Sequence, residues 1–327
     1  MLIKRKIILL SCSIFFIGDI FLMFGCEDSP ANQPKSFVSK NVSVNKSRNA
    51  NANAASSYTN LAENISNSQL NSTNNSLADT RFAQAAAQNA RLKSNLQWTF
   101  GGKTQTGWYL YENLIAHLIE TEAKAESSEF AEALARWQKS AGLAPSGILD
   151  EPTLNAIVKN WQANRLKNRG YASPDELITA PPTDFYDPMR VEDLRRLEYN
   201  TYAAYKKMVA AAIADKSLKL ATDEKGNLAA TEKFLKIVSV FRSREYQAKL
   251  RREAPNSGRA GLAVKNSPHF TGRALDIYVG GEPVETRDDN RAFQVQTPVY
   301  KWLVKNAGKF GFKPYFYEPW HWEYAPE

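Results

Sequence analysis

The chain has 327 residues, with 42 Lys and Arg against 34 Asp and Glu, for a formal net charge of +8. Basicity this mild suits anionic wall polymers or lipid headgroups, and equally a plain solvated surface; no stretch forms a nucleic-acid-binding motif, so no nucleic-acid partner is expected. There are two cysteines, Cys12 and Cys26, both at the N-terminal end, so the rest of the chain can hold neither a disulfide nor a cysteine metal site and must rely on an ordinary apolar core.

The N-terminus opens with Lys4-Arg5-Lys6, continues through an apolar run from Ile7 to Phe24 broken by Asp19, and reaches Gly25-Cys26. This reads as an export signal over residues 1–25, followed by lipidation of the Cys26 thiol, because a small residue before a cysteine at the end of the apolar run resembles a bacterial lipobox. Met23 and Phe24 are bulkier than that pattern usually has, and an uncleaved membrane anchor is the alternative. Both readings place the remainder outside the cytoplasm, as an exported, membrane-anchored protein. Residues 26–95 are rich in Asn, Ser and Ala with few large apolar side chains, a composition that cannot offset its own ordering entropy and predicts a disordered tether.

In residues 96–170, Phe130, Leu134 and Trp137 share a helical face. Gly142 predicts the end of that helix, and a second begins near Pro152. The strings Trp137-Gln138, Gly142-Leu143, Ser146-Gly147 and Thr153-Leu154-Asn155-Ala156 resemble the second half of a three-helix peptidoglycan-binding module, with Ser-Gly where the module has Asp-Gly. The resemblance implies a cell-wall glycan partner; a small helical spacer is the alternative, and the stretch from Tyr109 to Glu122 fits the module poorly. His117 receives no role, and the basic cluster from Arg165 to Arg169 reads as a solvated surface. Residues 171–189, with Pro181-Pro182, read as a linker.

Residues 190–327 mix both periodicities without a βαβ rhythm, which predicts an α+β domain, a small mixed α/antiparallel-β unit. A helix is expected from Val191 to Ala214, a strand over Leu235–Phe241, a helix over Ser243–Arg252 and a strand over Ala274–Val279. Thr297-Pro298 should cap a helix ending at Gly308, and Tyr315–Tyr317 and His321–Tyr324 should be the final strands.

Two strings in this domain carry chemistry: Ser267-Pro268-His269-Phe270-Thr271-Gly272-Arg273-Ala274-Leu275-Asp276 and Glu318-Pro319-Trp320-His321. Zinc takes neutral imidazole nitrogens and carboxylate oxygens in a tetrahedron, and a catalytic site keeps one position open. His269, Asp276 and His321 are the three candidate ligands. Glu318 is left as a general base for the attacking water. Residues three apart on a straight strand face opposite ways, so Glu318 and His321 can serve one site only if the backbone bends, for which Pro319 is the expected cause. Glu323 is a competing carboxylate, read as an outer support or a surface residue.

The two strings resemble the Ser-x-His-x-x-Gly-x-Ala-x-Asp and Glu-x-x-His motifs of the D-alanyl-D-alanine carboxypeptidase family that includes the VanY-type enzymes. A third string, Phe241-Arg242-Ser243-Arg244-Glu245-Tyr246-Gln247, is similar to the family's Tyr-Arg-Ser-x-x-x-Gln element, with Phe241 in the Tyr position. The resemblance implies a zinc peptidase acting on peptidoglycan stem peptides, with His269, Asp276 and His321 on the metal and Glu318 as base. It further implies Arg242 on a substrate carboxylate or oxyanion, and Gln247 and Ser267 as substrate-binding residues. Removal of the terminal D-Ala is the reaction implied most directly; a related endopeptidase or dipeptidase, and a non-catalytic wall-binding lipoprotein, are the alternatives.

Overall fold

Residues 81–95 form a helix, α1, in the stretch whose composition predicts a tether. Its fully buried side chains are Ala85, Ala86 and Asn89, small or polar, with Phe82 and Leu92 half-buried beside them, so composition gives little sign of it. Asn89 ties the helix to the loop at 147–149: it donates from Nδ2 to the Gly147 carbonyl at 2.9 Å and accepts from the Leu149 amide at 2.7 Å. The computed structural model describes residues 81–253 and 267–326; the expected export signal, Cys26 and residues 26–80 of the expected tether lie outside them.

A hairpin of β1 (Gln97–Phe100) and β2 (Lys103–Thr106) follows, then α2 (Glu112–Leu118), α3 (Ser128–Ser140) and α4 (Glu151–Ala163). The last two are the helices predicted from the Phe130 face and from Pro152. Ser127 caps α3 by accepting from the Phe130 amide, and Asp150 caps α4 by accepting from the Thr153 amide, each satisfying a donor that has no partner within its own helix. Gln138 holds the loop between them. Its amide donates to the Ile148 carbonyl and the Thr153 hydroxyl, and its Oε1 accepts from the Gly147 amide. Gly147 has φ +73°, and a Cβ there would stand 2.7 Å from the Ala131 carbonyl oxygen, so both conformation and space call for glycine.

Within residues 171–189, read from sequence as a linker, β3 (Leu177–Thr179) pairs antiparallel with β4 (Arg196–Glu198), and Ala180 and Phe185 are buried. The helix predicted from Val191 starts instead at Tyr199, as α5 (Tyr199–Ala214). Arg196–Glu198 is already committed to the β3 pairing, and the Glu198 carboxylate caps the helix by accepting from the Thr201 amide and hydroxyl.

The C-terminal part contains β5 (Ile237–Ser239), α6 (Arg244–Glu253), β6 (Ala274–Ile277), α7 (Asp288–Gln294), α8 (Pro298–Asn306), β7 (Phe312–Pro314) and β8 (His321–Tyr324). The strands form one antiparallel sheet in the order β5-β6-β8-β7. The architecture is therefore mixed α+β, as the sequence predicts. Thr297 caps α8, accepting from the Tyr300 amide, and a 3-10 turn over Ala307–Phe310 completes the segment expected to be helical as far as Gly308. Tyr315–Tyr317 is not a strand. The Tyr315 amide donates to the His321 carbonyl, and the Glu318 amide to the Tyr315 carbonyl, so this aromatic run turns the chain between β7 and β8.

Apolar packing is continuous across these elements, and one buried cluster includes Trp98, Trp108, Phe130 and Leu154 as well as Tyr205, Leu275, Phe312 and Trp322. Phe316 joins the halves: its ring packs on Phe100 at 4.8 Å, Tyr111 at 5.3 Å and Trp161 at 5.5 Å.

Candidate metal centre

Asp276 and His321 are direct register partners on β6 and β8. Residues opposite one another in an antiparallel pair point to the same face, so the pairing alone places the carboxylate beside the imidazole, with His321 Nδ1 2.9 Å from Asp276 Oδ1. Two residues further along β8 lies Glu323, on the same face and opposite Ala274. His269 arrives from a 3-10 turn, Pro268–Thr271, directly ahead of β6. That turn ends at Gly272 with φ +67°, where a Cβ would approach the Glu198 amide to 2.7 Å. The glycine thus lets the His269 turn sit against the start of α5. The Arg242 amide donates to the His269 carbonyl at 3.1 Å, tying the same turn to the end of β5.

The three candidate ligand residues are fully buried, and one ligand atom from each lies within 4.8 Å of the others. Bonds of about 2.0–2.1 Å in a tetrahedral site put ligand atoms roughly 3.3 Å apart; His269 Nε2 and Asp276 Oδ2 are 3.4 Å apart. His269 Nδ1 lies 2.8 Å from the Val240 carbonyl, a contact that places the proton on Nδ1 and leaves a lone pair on Nε2. Nε2 is buried and makes no well-formed hydrogen bond. His321 is oriented the other way round: its Nε2 faces Glu323 Oε1 at 3.3 Å, so Nδ1 is the atom turned to Asp276. Two buried imidazole nitrogens and a carboxylate converging in this way form a donor set that fits zinc.

The electrostatics favour a cation. Burial, aided by the Arg242 guanidinium, pushes His269 down to about 4, so it is a neutral donor at physiological pH. For His321, burial opposes the charge, but hydrogen bonds to Asp276 and Glu323 outweigh it and push the group up to about 9. Burial likewise opposes ionisation of Asp276, and the two histidines overcome it, holding the carboxyl well below its usual range. The pocket therefore already stabilises positive charge between two carboxylates.

Glu318 reaches the site by the bend expected from its spacing. The His321 amide donates to the Glu318 carbonyl at 2.9 Å, and Pro319-Trp320 form the turn between them. Glu318 is buried, and burial pushes its carboxyl up to about 7, against the pull of His321, Arg165 and Arg242. Arg242 is buried beside Asp276, its guanidinium 3.4 Å from both Asp276 Oδ2 and Ser239 Oγ. Gln247 is buried on α6 with its Oε1 unpartnered, and Ser267 is buried at the start of the His269 turn. Neither side chain hydrogen-bonds to the metal-ligand trio among the described residues. His117 lies exposed on α2, away from these groups.

Sequence reasoning missed the support behind His321. Arg165, expected on a solvated surface, is only 6% exposed and donates from Nε and Nη2 to Glu323 Oε1 at 3.0 and 2.5 Å. Glu323 is 1% exposed and also accepts from the Leu166 amide at 2.8 Å. Its place two residues from His321 on a strand signals a shared face; nothing local signals Arg165.

Residues 195–327 match the family model VanY, D-alanyl-D-alanine carboxypeptidase, the family that the three motifs resemble. At family level this match supports a peptidase of the D-alanyl-D-alanine carboxypeptidase type for these C-terminal residues. The helices α1 to α4 lie outside the matched residues. No curated protein matches the chain.

Proposed function

We propose that the protein is an exported zinc peptidase that removes the terminal D-Ala from peptidoglycan stem peptides. The observation that carries this reading is the buried Nε2 of His269, which makes no well-formed hydrogen bond and converges with Asp276 and His321, while burial raises the carboxyl of Glu318 beside them. His269, Asp276 and His321 would hold the zinc, which when bound supplies Lewis-acid polarisation of the scissile carbonyl and of the attacking water. Glu318 takes the proton from that water as its oxygen bonds to the carbonyl carbon, and delivers it to the departing amine as the carbon–nitrogen bond breaks. Burial raises this carboxyl's affinity for a proton, which helps it take the proton from water before passing it on. Arg242 presents guanidinium N–H groups from a buried position, where a charge-assisted contact to a substrate carboxylate or developing oxyanion is strong. Gln247 and Ser267 border the substrate in this reading.

The test is mass spectrometry of products from purified muropeptides, run beside zinc analysis. Wild type should release single alanine residues; release of a dipeptide or internal cleavage would replace the carboxypeptidase assignment with its sister activities. Glu318→Gln should keep its zinc and lose turnover by a factor on the order of a hundred to ten thousand. Unchanged activity in that variant would overturn the mechanism, and no hydrolysis by zinc-loaded wild type would favour a wall-binding lipoprotein.

The proposal extends to anchoring, through lipidated Cys26 and a tether facing the periplasm or cell wall, and to glycan binding by the helical segment. Cys26→Ser should abolish lipid labelling and release the protein from membranes. Retention of the variant on membranes with its leader attached would identify an uncleaved anchor instead.

A further inference from the structure

Arg165 follows the C-terminal end of α4, outside the residues that match the peptidase family, yet its side chain is buried against the metal centre. It touches both groups that bracket the His321 imidazole. On one side it holds Glu323 Oε1 through two N–H groups, at 3.0 and 2.5 Å, and the same oxygen faces His321 Nε2 at 3.3 Å. On the other, the guanidinium lies 4.0 Å over the Tyr315 ring, and that ring meets His321 edge to face, with centroids 5.9 Å apart. The adjacent Leu166 amide holds Glu323 Oε2 at 2.8 Å, so the end of α4 fixes both oxygens of the carboxylate.

We propose that Arg165 is a positioning residue of the metal centre, orienting His321 through Glu323 and Tyr315, so that the helical segment completes the peptidase site. The inference rests on the reading of His321 as a metal ligand. The physical reason is that a ligating imidazole is aimed by whatever its other nitrogen bonds to, and losing such an outer partner commonly weakens metal binding 10–100-fold. A carboxylate free to rotate would hold His321 Nε2 loosely. Clamped by a guanidinium fork and a backbone amide, Glu323 has one orientation. A simple docking ion pair between the helical segment and the sheet needs neither the shared oxygen nor the ring contact.

The experiment is competition for zinc against a chromogenic chelator, together with the visible spectrum of the cobalt-substituted full chain. It is applied to wild type, Arg165→Gln, Arg165→Lys, Glu323→Gln, the Arg165→Gln/Glu323→Gln double variant and His269→Ala. Arg165→Gln and Glu323→Gln should each weaken zinc binding about 10–100-fold and shift the cobalt spectrum. The double variant should be no weaker than the worse single one, because Arg165 reaches His321 Nε2 through Glu323. Arg165→Lys keeps the charge but loses the fork and should recover part of the affinity, and it carries the test if the glutamine variant does not fold. Zinc affinity and cobalt spectra that match wild type in folded Arg165 variants, with only a lower Tm, would reduce Arg165 to a docking residue and overturn the proposal. If wild type itself binds no more zinc than His269→Ala, the ligand assignment falls, and this inference with it; zinc binding lost in His269→Ala but untouched in the Arg165 variants removes this inference alone.

Discussion

Glu318 illustrates how burial sets a proton's behaviour here. Its carboxyl is pushed up to about 7 by burial, against the opposing pull of His321, Arg165 and Arg242. A general base acts in its ionised form, so activity should fall as the pH drops through the folded value, and a bound cation nearby can only lower that value. The acid limb of kcat/KM is therefore expected at or below about pH 7. Pre-steady-state or steady-state profiles on a stem-peptide substrate measure it, and a limb well above neutrality would assign it to a different group. The residues of this centre were legible in the sequence because each sits in a short string whose local geometry does the placing: a turn ended by Gly272, a strand bearing Asp276, a proline bend between Glu318 and His321. Arg165 was not. Its partner is 158 residues away, and within its own string it looks like any other charge in a basic run.

Among the elements, the α3–α4 hairpin depends most on a single side chain. Gln138 is 1% exposed, and it satisfies the Gly147 amide, the Ile148 carbonyl and the Thr153 hydroxyl at once. Gln138→Leu keeps a comparable bulk but strands those loop groups in the core, and a buried unsatisfied polar group costs about 1–3 kcal/mol. Urea unfolding should show a loss of at least that size with an unchanged slope; a loss under about 0.5 kcal/mol would mean the loop repacks freely. The helices α3, α4 and α8 were readable because their caps and apolar stripes lie within each segment. The helix α1 escaped notice because its fully buried side chains are alanine and asparagine, and the early start given to α5 came from a stripe that continues past a strand. Periodicity reports which face is apolar; it does not report that Arg196–Glu198 has a distant strand to pair with.

For the molecule as a body, the contacts of Phe316 argue that the helical segment and the peptidase sheet share one core. Phe100, Tyr111 and Trp161 all pack on that ring. Arg291, 1% exposed on α7, bonds the Tyr317 carbonyl at 3.1 Å and the Tyr111 hydroxyl at 3.4 Å. A chain beginning at residue 190 would uncover these rings and strip Glu323 of the Arg165 guanidinium and the Leu166 amide that hold it. It should aggregate or unfold without a cooperative transition, whereas a chain beginning at residue 81 should unfold in one step. Circular dichroism during urea titration distinguishes them, and cooperative unfolding of the shorter chain would show that the sheet stands alone. The Arg165–Glu323 clamp also bears on time. Its contact closes a far longer loop than any strand pairing in the sheet, and long loops close late because their ends must first be brought together against chain entropy. During refolding, β6 and β8 can find their register while α4 is still undocked, giving an intermediate with the right strands and an unsteadied His321. Recovery of tight metal binding would then lag behind recovery of secondary structure, and the interval between the two would time the arrival of α4.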